Sequence, residues 1–337
     1  MNLGVLGCGV IGLTTAIELQ KEFPNAQVSI IADRFNEDTT SYVAAGIFRP
    51  GTSFMGPSID ITQKWITDAF NYWDDIRKTS DAPLAGVCQL SGYIFSTTSP
   101  SIVRNHFIEK LLPVYRQATE EELTLCHGGW KYGSFFTTVL TATSEYLPYA
   151  TKKFLAAGGK IKEQKVTSFF DIEEKFDVLV NCTGMGAKEL CQDQQLVPIR
   201  GQVLKIRAPW IKMAFYGDYD TYIIPSFNGV TLGGCRQFDS YNTEVCKYDS
   251  LAIRERCYGM LPSLKKAEIV REAVGLRPHR SIVRVESEFK QTPAGRTMKI
   301  VHNYGHGGYG VTTAPGTALH AVKLVRDVLS SSNMSKL

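Results

Sequence analysis

The sequence predicts an α/β protein in which a doubly wound, mostly parallel sheet domain is interleaved with a mainly antiparallel β domain. Three observations carry that expectation. The chain opens as strand, glycine turn, helix and strand. A second helix and an apolar strand of the same kind return near residues 143–181. Between them and the C-terminus the texture changes to β-formers alternating with turn residues. At 337 residues the chain suits two domains. The expected division puts 1–52, 140–190 and 276–330 in the first domain and 53–139 with 191–275 in the second. Residues 331–337 form a flexible tail.

Taken in order, Leu3 to Leu6 is a short apolar strand, and Gly7-Cys8-Gly9-Val10-Ile11-Gly12 is a tight turn. Val10 to Glu22 carries apolar residues at helical spacing, and Gln27 to Ala32 is a β-rich run ending at Asp33. Residues 143–157 form a helix opened by Thr143 or Ser144 and closed by Gly158-Gly159. A strand is expected through Lys165-Val166, then another over Val178-Leu179-Val180, ending in Asn181-Cys182-Thr183-Gly184. Residues 200–208 and 219–237 read as strands, with Asn228-Gly229 as a hairpin turn, and Tyr248 to Met260 reads as a helix.

Composition narrows the function. A hydrophobic share of 44%, a charged share of 21% and a formal charge of +4 without single-sign blocks describe an ordinary globular chain. They give no basic face for nucleic acid. No apolar run is long enough to span a bilayer. Cys8, Cys88, Cys126, Cys182, Cys191, Cys235, Cys246 and Cys257 show no paired spacing and are expected to be free thiols; no metal site is expected. Met1 leads straight into the first strand without a basic leader, so no signal peptide is expected. Nothing in the pattern specifies an oligomeric state. The last three residues, Ser335-Lys336-Leu337, read as an address recognised by a peroxisomal import receptor.

The glycine turn carries the first chemistry. Gly7 permits the turn, Gly9 lets backbone approach a pyrophosphate, and Gly12 lets the helix pack closely on the sheet. The pyrophosphate then sits at the positive helix end. Asp33, at the end of the next strand, can accept from the ribose hydroxyls of an adenosine. Thr39-Thr40, Ala44-Ala45-Gly46 and Cys182-Thr183-Gly184 are small residues that would let the chain run past a flat ring system. These features point to a dinucleotide without choosing between NAD and FAD.

Further segments narrow that choice. Ala32-Asp33-Arg34-Phe35, Val43-Ala44-Ala45-Gly46, Val180-Asn181-Cys182-Thr183-Gly184 and Gly201-Gln202-Val203-Leu204-Lys205 occur in this order. They are followed by Ala208-Pro209-Trp210, Tyr222-Ile223-Ile224-Pro225, Thr231-Leu232-Gly233-Gly234, Gly275-Leu276-Arg277-Pro278 and the run from His302 to Gly310. Together they resemble the D-amino-acid oxidase and D-aspartate oxidase family over nearly the whole chain. The resemblance implies a Rossmann-like domain holding FAD non-covalently in an extended form. It places Gly7, Gly9 and Gly12 at the pyrophosphate, Asp33 and Arg34 at the adenosine, and Val166 near the adenine. Thr39, Thr40, Ala45 and Gly46 line the cofactor, and Gly307, Gly308, Tyr309, Gly310 and Thr312 approach the flavin from the other side.

The same resemblance assigns the substrate site. Arg277 clamps the amino-acid carboxylate with two charge-assisted hydrogen bonds, helped by Tyr222, and the Gly308 carbonyl accepts from the amino group. With the amine neutral, the α-hydrogen leaves as hydride to flavin N5, so no acid–base dyad is required. Oxygen takes the electrons, giving hydrogen peroxide, a 2-oxo acid and ammonia. Arg236 stands where D-aspartate oxidases resemble one another in carrying arginine, which implies acidic D-amino acids; a preference for neutral ones is the alternative. It is expected on the strand after the Asn228-Gly229 turn, with an internal carboxylate as the competing partner. A second basic residue expected before Tyr222 is replaced by Phe215-Tyr216-Gly217-Asp218. Arg49 stands where the family commonly has an uncharged residue, and it is expected to compensate.

Overall fold

A computed structural model of the chain describes residues 1–172 and 176–334. The opening unit follows the spacing of its apolar residues: β1 (Asn2–Leu6), α1 (Val10–Glu22) and β2 (Gln27–Ala32). After the short α2 (Thr40–Val43) come α3 (Ile59–Arg77), β3 (Val87–Ser96), β4 (Val114–Gln117), β5 (Tyr132–Thr141) and α4 (Thr143–Ala156). Then follow β6 (Lys160–Glu163), β7 (Val178–Asn181), α5 (Ala187–Leu190), β8 (Val197–Arg207), β9 (Ala214–Gly217) and β10 (Thr221–Ser226). The chain continues through β11 (Gly229–Gly233), β12 (Gln237–Phe238), α6 (Lys247–Met260), β13 (Glu268–Gln291), β14 (Thr297–His306) and α7 (Gly310–Met334).

Strands β14, β7, β1, β2 and β6 form a parallel set in that order. Helix α1 is buried on nearly every side, because it lies against this sheet and is flanked by α4 and α7. The strand expected through Lys165-Val166 forms earlier, at Lys160–Glu163. Its partner β2 ends at Ala32, so the ladder closes when the Gln164 N–H donates to the Ala32 carbonyl at 2.9 Å. Lys165 and Val166 then turn out over a cleft.

The remaining strands run β4-β5-β3-β9-β10-β11-β8, antiparallel except where β3 meets β9. The expected division at 275/276 falls inside β13. The first half of that strand pairs with β8 and the second with β14, so one sheet passes through both halves of the molecule. Its pairing slips at Ile269/Arg271 and at His279/Arg284.

Helix α3 lies within 53–139, yet it packs chiefly on α7 of the first domain. The cause is its apolar face, Trp65, Ile66, Ala69, Phe70 and Trp73 at helical spacing, each worth roughly 1.5–3 kcal/mol when the side chain is large and fully buried. Gly316 makes the approach possible, since a Cβ there would stand 1.9 Å from the Trp65 carbonyl oxygen. Trp65 Nε1 donates to His320 Nδ1 at 2.8 Å across the same contact. At the C-terminus α7 continues to Met334, through residues expected to begin a flexible tail. Ser335-Lys336-Leu337 lie outside the described residues. All eight cysteines are free.

Candidate active site

The turn after β1 is shaped by what side chains cannot do there. Gly7 has φ +99°, and a Cβ on it would stand 2.5 Å from the Cys182 carbonyl oxygen. A Cβ on Gly12 would stand 2.0 Å from the Gly7 carbonyl oxygen, so α1 rests directly on the turn. Gly12 is absent from the residues lining the cleft beyond. It packs behind the turn, the close helix approach expected of the third glycine. Ser41, not singled out in the sequence, accepts the Val10 N–H through its Oγ at 3.0 Å and so occupies one donor of the helix end. No acidic side chain sits in the first turn of α1, leaving that end favourable to an anion.

From this turn a cleft of about 1500 Å³ runs across the molecule. Gly7, Gly9, Asp33, Arg34, Thr39, Thr40, Ala45, Gly46 and Val166 line one part of it. Gly307, Gly308, Tyr309, Gly310 and Thr312 line it as well. Gly46 is needed where it stands: with φ +77°, a Cβ would lie 1.8 Å from the Thr141 carbonyl oxygen. The left-handed glycine turn, the helix end and an exposed Asp33 at the end of β2 fit an extended dinucleotide.

The far end of the cleft is made of charged and phenolic side chains. Arg277 on β13 extends over Gly201 of β8, where a Cβ would stand 2.3 Å from the guanidinium carbon. One Nη donates to the Cys235 carbonyl at 3.0 Å. Among the described residues no carboxylate pairs with it, so further N–H groups of the fork are free to bind one. Tyr222 on β10 lies flat against Gly233 and Gly234, whose missing side chains make room for its ring. Burial raises the pKa of its hydroxyl while Arg277 works in the opposite direction, so it remains a protonated donor.

Arg236 is placed differently from the expectation. Strand β11 ends at Gly233, and Arg236 sits in the link to β12. Its neighbour Gln237 is fixed from beneath by the buried Arg200, which donates to Gln237 Oε1 at 2.9 Å and pairs with Asp249 at 2.7 Å. Alternation along the chain then turns Arg236 toward the cleft. Its side chain is 49% exposed, and its Nε lies 3.0 Å from Asp220, so an internal carboxylate is the partner in this structure. Burial opposes the Arg236 charge, but Asp220 and the Tyr309 hydroxyl outweigh it and raise the pKa.

Asp220 comes from the turn joining β9 to β10. Tyr219 and Asp220 have φ of 58° and 57°, and the Thr221 N–H donates to the Asp218 carbonyl at 3.2 Å, which makes a type I′ turn. Asp218 also lines the cleft, and its carboxylate accepts from Thr97 N at 2.9 Å and Thr97 Oγ1 at 2.6 Å. Arg49 enters from the segment that runs along β5, and its guanidinium carbon lies 4.4 Å from the centroid of the Tyr216 ring. His306 is buried beside Phe54 and bonded to Thr317 at 2.9 Å, and burial pushes it down to about 3, so it stays neutral.

Comparison with known proteins agrees with this geometry. The family model described as DAO, FAD dependent oxidoreductase, matches residues 2–324. A D-aspartate oxidase from Homo sapiens is 37% identical over 328 residues, which is 97% of this chain and 95% of that protein. A D-amino acid oxidase from Dugesia ryukyuensis is 34% identical over 339 residues, 99% of this chain and 100% of that protein. Among solved structures, glycine oxidase from Geobacillus kaustophilus superposes with a TM-score of 0.78 at 18% identity, covering 96% of this chain and 94% of that one. At that identity the likeness is one of fold.

Proposed function

This chain belongs to the DAO family of FAD dependent oxidoreductases, and on that premise we propose that it oxidises acidic D-amino acids, D-aspartate above all. FAD is the cofactor, and the glycine turn, Asp33 and the wall from Gly307 to Thr312 are the residues that would hold it. The observation that carries the substrate reading is a cleft end with cationic groups beyond the one that an α-carboxylate needs. Arg277 has free donors for the α-carboxylate, and Arg236 faces the same space. The D-aspartate oxidase from Homo sapiens at 37% identity supports the same reading.

Bound FAD supplies a two-electron acceptor that oxygen restores, and the products are hydrogen peroxide, a 2-oxo acid and ammonia. The protein contributes binding and orientation. Arg277 and the Tyr222 hydroxyl fix the carboxylate, and the Gly308 carbonyl accepts from the amino group. With the side-chain carboxylate held by the remaining cations as the third substituent of Cα, the hydrogen is left as the remaining direction, which selects the D-configuration. No side chain needs to take a proton from carbon.

A second reading, preference for neutral D-amino acids, is favoured by one observation: Asp220 already compensates Arg236. Anaerobic bleaching of the flavin spectrum separates the two. D-Asp is expected to bleach at far lower concentration than D-Ala, with L-Asp inert. Preferential bleaching by D-Ala would overturn the acidic reading and keep the family.

The terminal Ser335-Lys336-Leu337 supports work in the peroxisomal matrix, delivered there by the import receptor. A fluorescent protein fused to the N-terminus should enter peroxisomes, and removal of the last three residues should leave it outside. Equal distribution of the two forms would reject that location.

A further inference from the structure

Three guanidinium groups face the tyrosine-lined end of the cleft, and they differ in what already satisfies them. Arg236 is paired with Asp220 at 3.0 Å. Arg277 gives one N–H to a carbonyl and has no carboxylate among the described residues. Arg49 has neither: its Nε is buried without an acceptor, and no described carboxylate pairs with it. The nearby acids are committed elsewhere, Asp218 to Thr97 and Asp220 to Arg236.

Arg49 is nonetheless held in place. It stacks on Tyr216, which is paired across the β9–β10 ladder with Tyr222, the two rings 6.0 Å apart. Stacking occupies the face of the guanidinium and leaves its in-plane N–H groups to meet an acceptor. A partly buried cation with an unmet donor is costly unless a ligand completes it. The backbone from Gly46 to Phe48 is tied to β5 through Thr141 and Val139, so Arg49 starts from an anchored position.

We propose that Arg49 is the residue that binds the side-chain carboxylate of the substrate, with Arg277 holding the α-carboxylate and Arg236 secondary because Asp220 already compensates it. One uncompensated guanidinium stacked on Tyr216 and another acting on Tyr222 supply the two cations that a dicarboxylate calls for. The inference rests on the acidic-substrate reading above and deepens it: specificity comes from the segment after α2, not chiefly from the link after β11.

The test compares D-Asp with D-Asn, which has nearly the same shape without the second charge, in the FAD-loaded protein. In the unmodified protein kcat/KM should favour D-Asp; no preference would remove the acidic reading itself, before any variant is consulted. In Arg49→Gln the ratio of D-Asp to D-Asn should fall by about tenfold or more, as expected for loss of a charge-assisted contact. Spectral titration with succinate, a dicarboxylate with no amino group to oxidise, should weaken in parallel. Arg49→Lys keeps the charge and should hold the ratio above that of the glutamine variant. Equal losses for D-Asp and D-Asn in Arg49→Gln, or a lysine variant as unselective as the glutamine one, would overturn the role of Arg49 and leave the substrate reading standing.

Discussion

The two ends of the cleft are built on opposite principles. The dinucleotide end is made by atoms that are missing: Gly7, Gly12 and Gly46 admit backbone to distances where a Cβ would collide at 2.5 Å or less. The proposed substrate end is made by atoms that reach: Arg49, Tyr222, Arg236 and Arg277 arrive from four separate segments and line the same cleft. The first needs shape, and backbone supplies it cheaply. The second needs charge, which costs desolvation, so each cation there has a stacking ring, a carbonyl or a carboxylate beside it.

If the ends are separate in this sense, each can be broken without the other. The largest effect should come from Arg277→Ala. Truncating one member of a desolvated charge pair costs about 2–5 kcal/mol, so kcat/KM should fall on the order of a hundredfold or more while bound flavin persists. Flavin content and turnover measured on the same sample would show it, and a colourless variant would join the two ends. The converse is Gly12→Ala, which forces a Cβ against the Gly7 carbonyl. Overpacking costs typically about 1–3 kcal/mol, and urea unfolding with flavin release should register it before any change in D-Asp to D-Asn selectivity.

A smaller effect concerns β14, which pairs with β13 on one side and β7 on the other. His302, bonded to Glu288 at 2.8 Å, and His306 are pushed by burial from 6.5 to about 4 and about 3. Between pH 6.5 and those values the unfolded chain binds more protons than the folded one. Stability should therefore fall as pH drops through that window and be unaffected by these groups above it. His306→Gln should flatten the slope of stability against pH between 4 and 6; an unchanged slope would remove His306 as a cause. Least of all, Asp220→Asn frees Arg236 from a half-exposed ion pair worth up to about 1 kcal/mol. The apparent KM for D-Asp should fall by about twofold to fivefold, with D-Ala little changed. A rise for D-Asp would mean that Asp220 positions Arg236 instead of competing for it.

The same contrast governs what could be read from the sequence. Val10–Glu22, Gln27–Ala32 and Lys247–Met260 follow local periodicity, and the glycine turn is a matter of spacing within six residues. Strand β6 was misplaced because Lys-Ile-Lys-Glu is a short edge strand whose length is set by where β2 ends. Arg277 and Tyr222, singled out through resemblance, both line the cleft. The partner of Arg236 was not, because Asp220 reaches it from a turn whose left-handed residues are neither glycine nor both asparagine-like. The packing role of Gly12 was legible from its place as the third glycine of the turn. The stacking of Arg49 on Tyr216 joins positions far apart in the chain, and no periodicity connects them.

Strand β13 carries a mechanical consequence. Its 24 residues form a beam fixed to β8 at one end and to β14 at the other, with Arg277 between the two slips. Swinging one half of the molecule against the other would tear a ladder along its length. Substrate capture is therefore expected to leave the overall dimensions in solution unchanged, with motion confined to side chains and to the Asp218–Thr221 turn.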